Sequence, residues 1–125
     1  MSLCLVSGSL LAALPLTAFT LAWTHSIEKT RWEEDWRIIG RQLELQEARI
    51  RGSGAGMEPP AGARLENGVW HYRPALAPVE TLRLTHSPHT SGYTLCTGEE
   101  CRQLADLLPG IGENVVIEVS ACANR

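Results

Sequence analysis

The chain has 125 residues, 11 basic against 14 acidic side chains for a net charge of −3, and is 44% hydrophobic and 20% charged. That length suits one β domain over residues 1–125 with a real core. The mildly acidic balance, with no arginine-rich stripe, excludes the electrostatic footprint of a nucleic-acid binder.

Residues 1–23 carry no charge, a composition that suggests a signal peptide or a membrane span. Punctuation argues otherwise. No Lys or Arg stands at the start, Ser7-Gly8-Ser9 and Pro15 mark turns, and Leu3–Val6 and Leu10–Leu14 are each of strand length. The stretch therefore reads as a buried hairpin, with no membrane span of its own.

From Phe19 to Ile38 the sequence reads as two strands folded back on each other. A reversal at Lys29-Thr30 pairs Leu21 with Ile38, Trp23 with Trp36, His25 with Glu34 and Ile27 with Trp32 on one face. The other face pairs Ala22 with Arg37, Thr24 with Asp35, Ser26 with Glu33 and Glu28 with Arg31, so one register separates a dry side from a wet one. It sets a histidine and a glutamate among three tryptophans. A carboxylate on one ring nitrogen fixes the tautomer and frees the other nitrogen for general-base or ligand work. The plain alternative is a buried pair that satisfies itself. Glu33 and Asp35 share the opposite face as solvated charges, since alternation separates them from Glu34.

Residues 42–51 continue as a strand, with Leu43, Leu45 and Glu47 on one side and Glu44, Gln46 and Ala48 on the other; a helix from Gln42 to Ile50 is the alternative, disfavoured because the apolar residues do not recur at helical spacing. Residues 52–63 are rich in Gly, Ser, Ala and Pro and form a loop. Ser53, Gly54, Gly56, Met57 and Glu58 make a glycine-lined recess that a ligand or partner backbone could approach closely. No helix and no Gly-Lys-Ser/Thr follows, which argues against a phosphate cradle. Further strands are expected over 68–72, 80–86, 92–96 and 114–121, with a turn signal at Glu66-Asn67-Gly68 and a helical turn or two from Arg102 to Leu108. Many short strands with regular turns predict an all-β antiparallel sandwich or small barrel.

Cys96 and Cys101 flank Thr-Gly-Glu-Glu, a four-residue hairpin loop that sets the two sulfurs opposite each other. Cys4 lies in the first strand and Cys122 closes the last, so pairing of the terminal strands gives a 4–122 bridge beside a 96–101 bridge. Four free thiols are the alternative, and the two cases separate a periplasmic or membrane-associated protein from a cytosolic one. His71, His86 and His89 are scattered, and no serine sits in a nucleophile elbow. The residues show no recognised catalytic constellation, cofactor motif or metal set.

The stretches WTHSIEKTRWEEDWRI (23–38), EARIRGSGAGMEPP (47–60) and CTGEECRQL (96–104) resemble signature stretches of the bacterial domain-of-unknown-function family eighteen-fifty. That resemblance covers nearly the whole chain and implies a genomic neighbourhood rather than a chemistry. Family members tend to be encoded beside permease components of TRAP-type transporters with TAXI-like binding proteins. The resulting expectation is an accessory or binding module whose partner is a transporter membrane or binding-protein subunit. The alternatives are a small metal-dependent or His/Glu-based hydrolase, and a purely structural interaction domain.

Overall fold

The computed structural model describes residues 1–24, 30–51, 62–89, 92–98 and 100–123. Its strands are β1 (Ser2–Ser7), β2 (Leu10–Leu14), β3 (Ala18–Thr24), β4 (Arg31–Ile39), β5 (Gln42–Arg51), β6 (Arg64–Glu66), β7 (Val69–Tyr72), β8 (Thr81–His86), β9 (Thr94–Thr97), β10 (Glu100–Gln103) and β11 (Val115–Cys122). They form two antiparallel sheets, ordered β2-β1-β11-β8 and β10-β9-β3-β4-β5-β7-β6. The sheets remain open and pack as a sandwich rather than closing into a barrel.

The uncharged N-terminal stretch forms the expected hairpin. Gly8 takes a φ of 58° between β1 and β2, a backbone state that favours glycine. β1 also pairs with β11, Leu5 opposite Val119, so the two ends of the chain lie side by side. No helix among the described residues is long and apolar enough to cross a membrane.

Alternation determines what each sheet buries. Leu3, Leu5, Ile117 and Val119 point inward from the small sheet, and Phe19, Leu21, Trp36, Ile38, Leu43, Leu45 and Leu95 meet them from the large one. Leu82 and Leu84 pack against this core, while Arg83 and Thr85 stand exposed, as the alternation of β8 requires. The expected helix at 102–108 is reduced. Arg102 and Gln103 belong to β10, and only Leu104–Leu107 turns, as a 3-10 helix that sends Leu104 into the core, with Leu108 beside it. Tertiary burial of two leucines outweighs a weak local helical preference here.

The expected hairpin register is corrected. Phe19 faces Trp36, Leu21 faces Glu34 and Trp23 faces Trp32, so partner numbers sum to 55 and not 59. A slip of four residues is even, so every described side chain of β3 and β4 keeps its expected face while its neighbours change. This register buries Phe19 against Trp36, where a reversal at residues 29 and 30 sets Phe19 opposite Gly40 and Trp36 opposite Trp23. His25 lies outside the described residues.

The alternation expected for residues 42–51 is also corrected. Asp35 faces Glu47, but Trp36 faces Leu45, which leaves Gln46 as an extra residue, a β-bulge. The bulge reverses the parity of β5. Leu43 and Leu45 point inward before it, Ala48 and Ile50 after it, and Glu47 turns outward with Arg49. The short strand β6 was not expected. Its three residues are all exposed, and it is formed by the Asn67-Gly68 turn, whose φ values of 51° and 78° suit a tight hairpin.

Candidate functional site

The inner face of the seven-stranded sheet gathers the aromatic side chains. One row across it runs Leu95, Leu21, Glu34, Ala48, Tyr72, and the next runs Trp23, Trp32, Ile50, Trp70, Leu65. Phe19 and Trp36 form a third row, buried in the core at 3% exposure each. Tyr93, just before β9, packs its ring on Trp23 at a centroid distance of 5.5 Å and an interplanar angle of 52°. Trp23 and Trp32 stack nearly parallel at 6.2 Å and 10°. All seven aromatic residues of the chain therefore serve this side of the sheet.

The smaller sheet covers only part of this face. Its core contacts end around Trp23 and Tyr93, while Glu34, Trp32, Trp70 and Tyr72 lie outside the core cluster and are half-buried. Glu34 is the only charged side chain in these rows. The indole N–H of Trp36 donates to Glu34 Oε1 at 3.3 Å. Burial pushes the Glu34 carboxyl above its ordinary pKa, and the Trp36 hydrogen bond offsets part of that rise. Burial also raises the phenols of Tyr72 and Tyr93, and the Glu34 charge adds to the effect. The carboxylate is thus felt from both sides along the row.

The outer face of the same sheet is its electrostatic opposite. Arg49 grips Asp35 with both terminal nitrogens, at 2.6 and 2.7 Å, and reaches Glu47 at 2.9 Å and Glu33 at 3.3 Å. Arg51 and Arg31 also hold Glu33, at 2.9 and 3.3 Å, and the Thr20 hydroxyl donates to Asp35 at 2.7 Å. His71 Nδ1 lies 3.3 Å from Glu47. The Arg49 bond, aided by Thr20, holds Asp35 below its usual carboxylate range. Burial alone would raise Glu33, but Arg51, Arg31 and Arg49 together hold it low. Asp35 in turn keeps the Arg49 proton more firmly bound. Glu33 and Asp35 therefore share the expected face, with Arg49 as the partner that spacing alone did not identify.

Of the residues expected at a site, Glu34, Trp23 and Trp36 share the inner face. Their roles differ from the expectation: Trp23 pairs with Trp32, Trp36 is sealed in the core, and Glu34 sits opposite Leu21. Ser53, Gly54, Gly56, Met57 and Glu58 lie outside the described residues, as His25 does. Sequence reading missed Tyr93, Trp70 and Tyr72. Val69-Trp70-His71-Tyr72 alternates and so puts both rings on one face, but only the pairing of β7 with β5 assigns that face to Glu34. The cysteines form two bridges, Cys4–Cys122 and Cys96–Cys101, with Cα separations of 5.9 and 4.0 Å. The loop between Cys96 and Cys101 is tighter than expected: Thr97 and Glu100 are paired strand residues, and the two cysteines are direct partners. No group of three or more His, Cys, Asp or Glu residues among the described residues could hold a metal ion.

The architecture defines a class: an all-β, two-sheet antiparallel sandwich with two disulfides. The model of the family described as a domain of unknown function, DUF1850, matches residues 19–104, and the chain belongs to that family. No curated protein and no solved structure matches the chain.

Proposed function

We propose that this protein is a non-enzymatic binding module whose contact surface is the half-buried aromatic face around Glu34. One observation carries the reading. Trp32, Trp70 and Tyr72 lie on the part of the inner face outside the core cluster, Trp23 and Tyr93 stand at its border with the core, and Glu34 is the carboxylate among them. The core itself is closed mostly by aliphatic side chains such as Leu3, Leu5, Ile117 and Val119, with Phe19 and Trp36 as its two fully buried aromatics. Half-exposed tryptophan and tyrosine instead mark recognition surfaces, because each ring offers a large rigid contact area and a polar tip.

The setting we propose is that of an accessory to a TRAP-type solute transporter, acting on a permease or binding-protein subunit or on its solute. The family resemblance supports that setting. Co-expression of the tagged protein with the permease and binding subunits of such a transporter tests it. Co-purification of a subunit in stoichiometric amount, lost on Trp32→Lys with the fold intact by circular dichroism, is the expected result. Retention of the subunit by Trp32→Lys would remove the aromatic face as the contact surface.

A further inference from the structure

Resting on this binding-module reading, we infer that the aromatic face takes a small organic cation, an alkylated ammonium group, held against the rings of Trp23, Trp32 and Tyr93 with Glu34 as its counter-charge. The geometry supplies both parts of such a site. The Trp23–Trp32 stack and the Tyr93 ring tilted by 52° form a corner of π faces, and ring faces attract cations through their quadrupole. Glu34 stands two residues from Trp32 on β4, so both project from the same side of the sheet.

Charge segregation leaves Glu34 open to a cation that the described residues do not supply. On the outer face Glu33, Asp35 and Glu47 are all neutralised by arginines. Across the sheet, no Lys, Arg or His among the described residues lies within 4.0 Å of the Glu34 carboxylate, and among those residues its hydrogen-bond donor is the Trp36 indole N–H. A half-buried carboxylate without a counter-ion is costly, and a bound cation offsets that cost.

The lining also selects the kind of cation. A bare ammonium or guanidinium brings several N–H donors that need acceptors, and indole rings supply none. An alkylated ammonium has few or no N–H groups and is weakly hydrated, so it exchanges water for ring faces at little loss.

The test is a titration of the purified protein with tetramethylammonium chloride, read by tryptophan fluorescence. Sodium chloride at equal ionic strength and tert-butanol, a neutral molecule of similar shape, serve as controls. The expected result is a saturable response to tetramethylammonium alone, weakened by roughly tenfold or more in Glu34→Gln and in Trp32→Leu. Glu34→Gln keeps the shape of the side chain and decides the matter even where Trp32→Leu fails to fold. Absence of a saturable response, or one equally strong in Glu34→Gln, overturns the inference. Equal saturation by tert-butanol also overturns it, yet leaves the aromatic face standing as a binding surface. The subunit co-purification test is independent, so failure of one reading is distinguishable from failure of the other.

Discussion

Two charged residues on opposite faces of one sheet show how neighbours decide what a side chain does. Arg49 is 16% exposed and Glu33 14%, so their network is intermediate between a solvated surface pair and a buried one. Arg49→Ala leaves Glu33, Asp35 and Glu47 facing one another, and we expect a loss of about 2 kcal/mol in urea unfolding. Arg49→Lys restores less than half of it, because an ammonium cannot grip Asp35 with two nitrogens. Glu34 behaves in the opposite sense. Its pKa is raised in the folded state, so between the ordinary glutamate range and the raised value the folded protein holds more protons than the unfolded chain. Stability attributable to Glu34 therefore falls as pH rises through that window, whereas Glu33 and Asp35, held low, lose theirs as pH falls. Among the described residues, Tyr72 and Tyr93 are the other titrating groups influenced by Glu34, and both titrate far above this window. Unfolding of wild type and Glu34→Gln across acid to neutral pH checks the sign. The two should converge at acidic pH, with the variant the more stable of the pair as pH rises.

At the scale of single elements, β5 carries the most information per residue. Its apolar positions are 43, 45, 48 and 50, a pattern with one step of three among steps of two. Read as plain alternation, it directs Glu47 inward and Ala48 outward. The bulge at Gln46 absorbs the extra residue, turning Ile50 into the interior and Arg49 onto the charged face. Deleting Gln46 would pull the far half of β5 back into strict alternation and drive Glu47 and Arg49 against the aromatic rows. We expect it to cost more than about 3 kcal/mol, or to prevent folding, as measured by thermal melting and proton NMR dispersion. The break in spacing was visible in the sequence, but its meaning depended on knowing that residues 31–39 pair with 42–51 around it.

At the scale of the whole molecule, the terminal bridge does most to restrict the unfolded chain. Cys4 and Cys122 are 118 residues apart, and Cys96 and Cys101 only 5. On chain-entropy grounds, replacing the first pair by alanine should cost about 4 to 5 kcal/mol, and replacing the second about 2. Denaturant melts of the two double variants under non-reducing conditions test that order. Protein purified without reductant should resist alkylation at all four cysteines until it is reduced.

The sequence by itself determined most of the strands, the sides that β3, β4 and β8 present, and the two cysteine pairs that bridges would join. Period-two alternation, turn residues such as Ser7-Gly8-Ser9 and Asn67-Gly68, and the placement of Cys4 and Cys122 at the two ends are local signals, and local sterics enforce them. It also marked Glu34 as the lone acid among tryptophans. Tertiary structure alone decided which residues stand beside it. A register slip of an even number of residues, like the one between β3 and β4, leaves hydrophobic patterning unchanged, so patterning cannot choose among such registers. The choice fell to burial of Phe19 against Trp36, and with it came the stacking of Trp23 on Trp32 and the approach of Tyr93. Those contacts join residues far apart in the chain, where packing energy rather than local preference sets the distance.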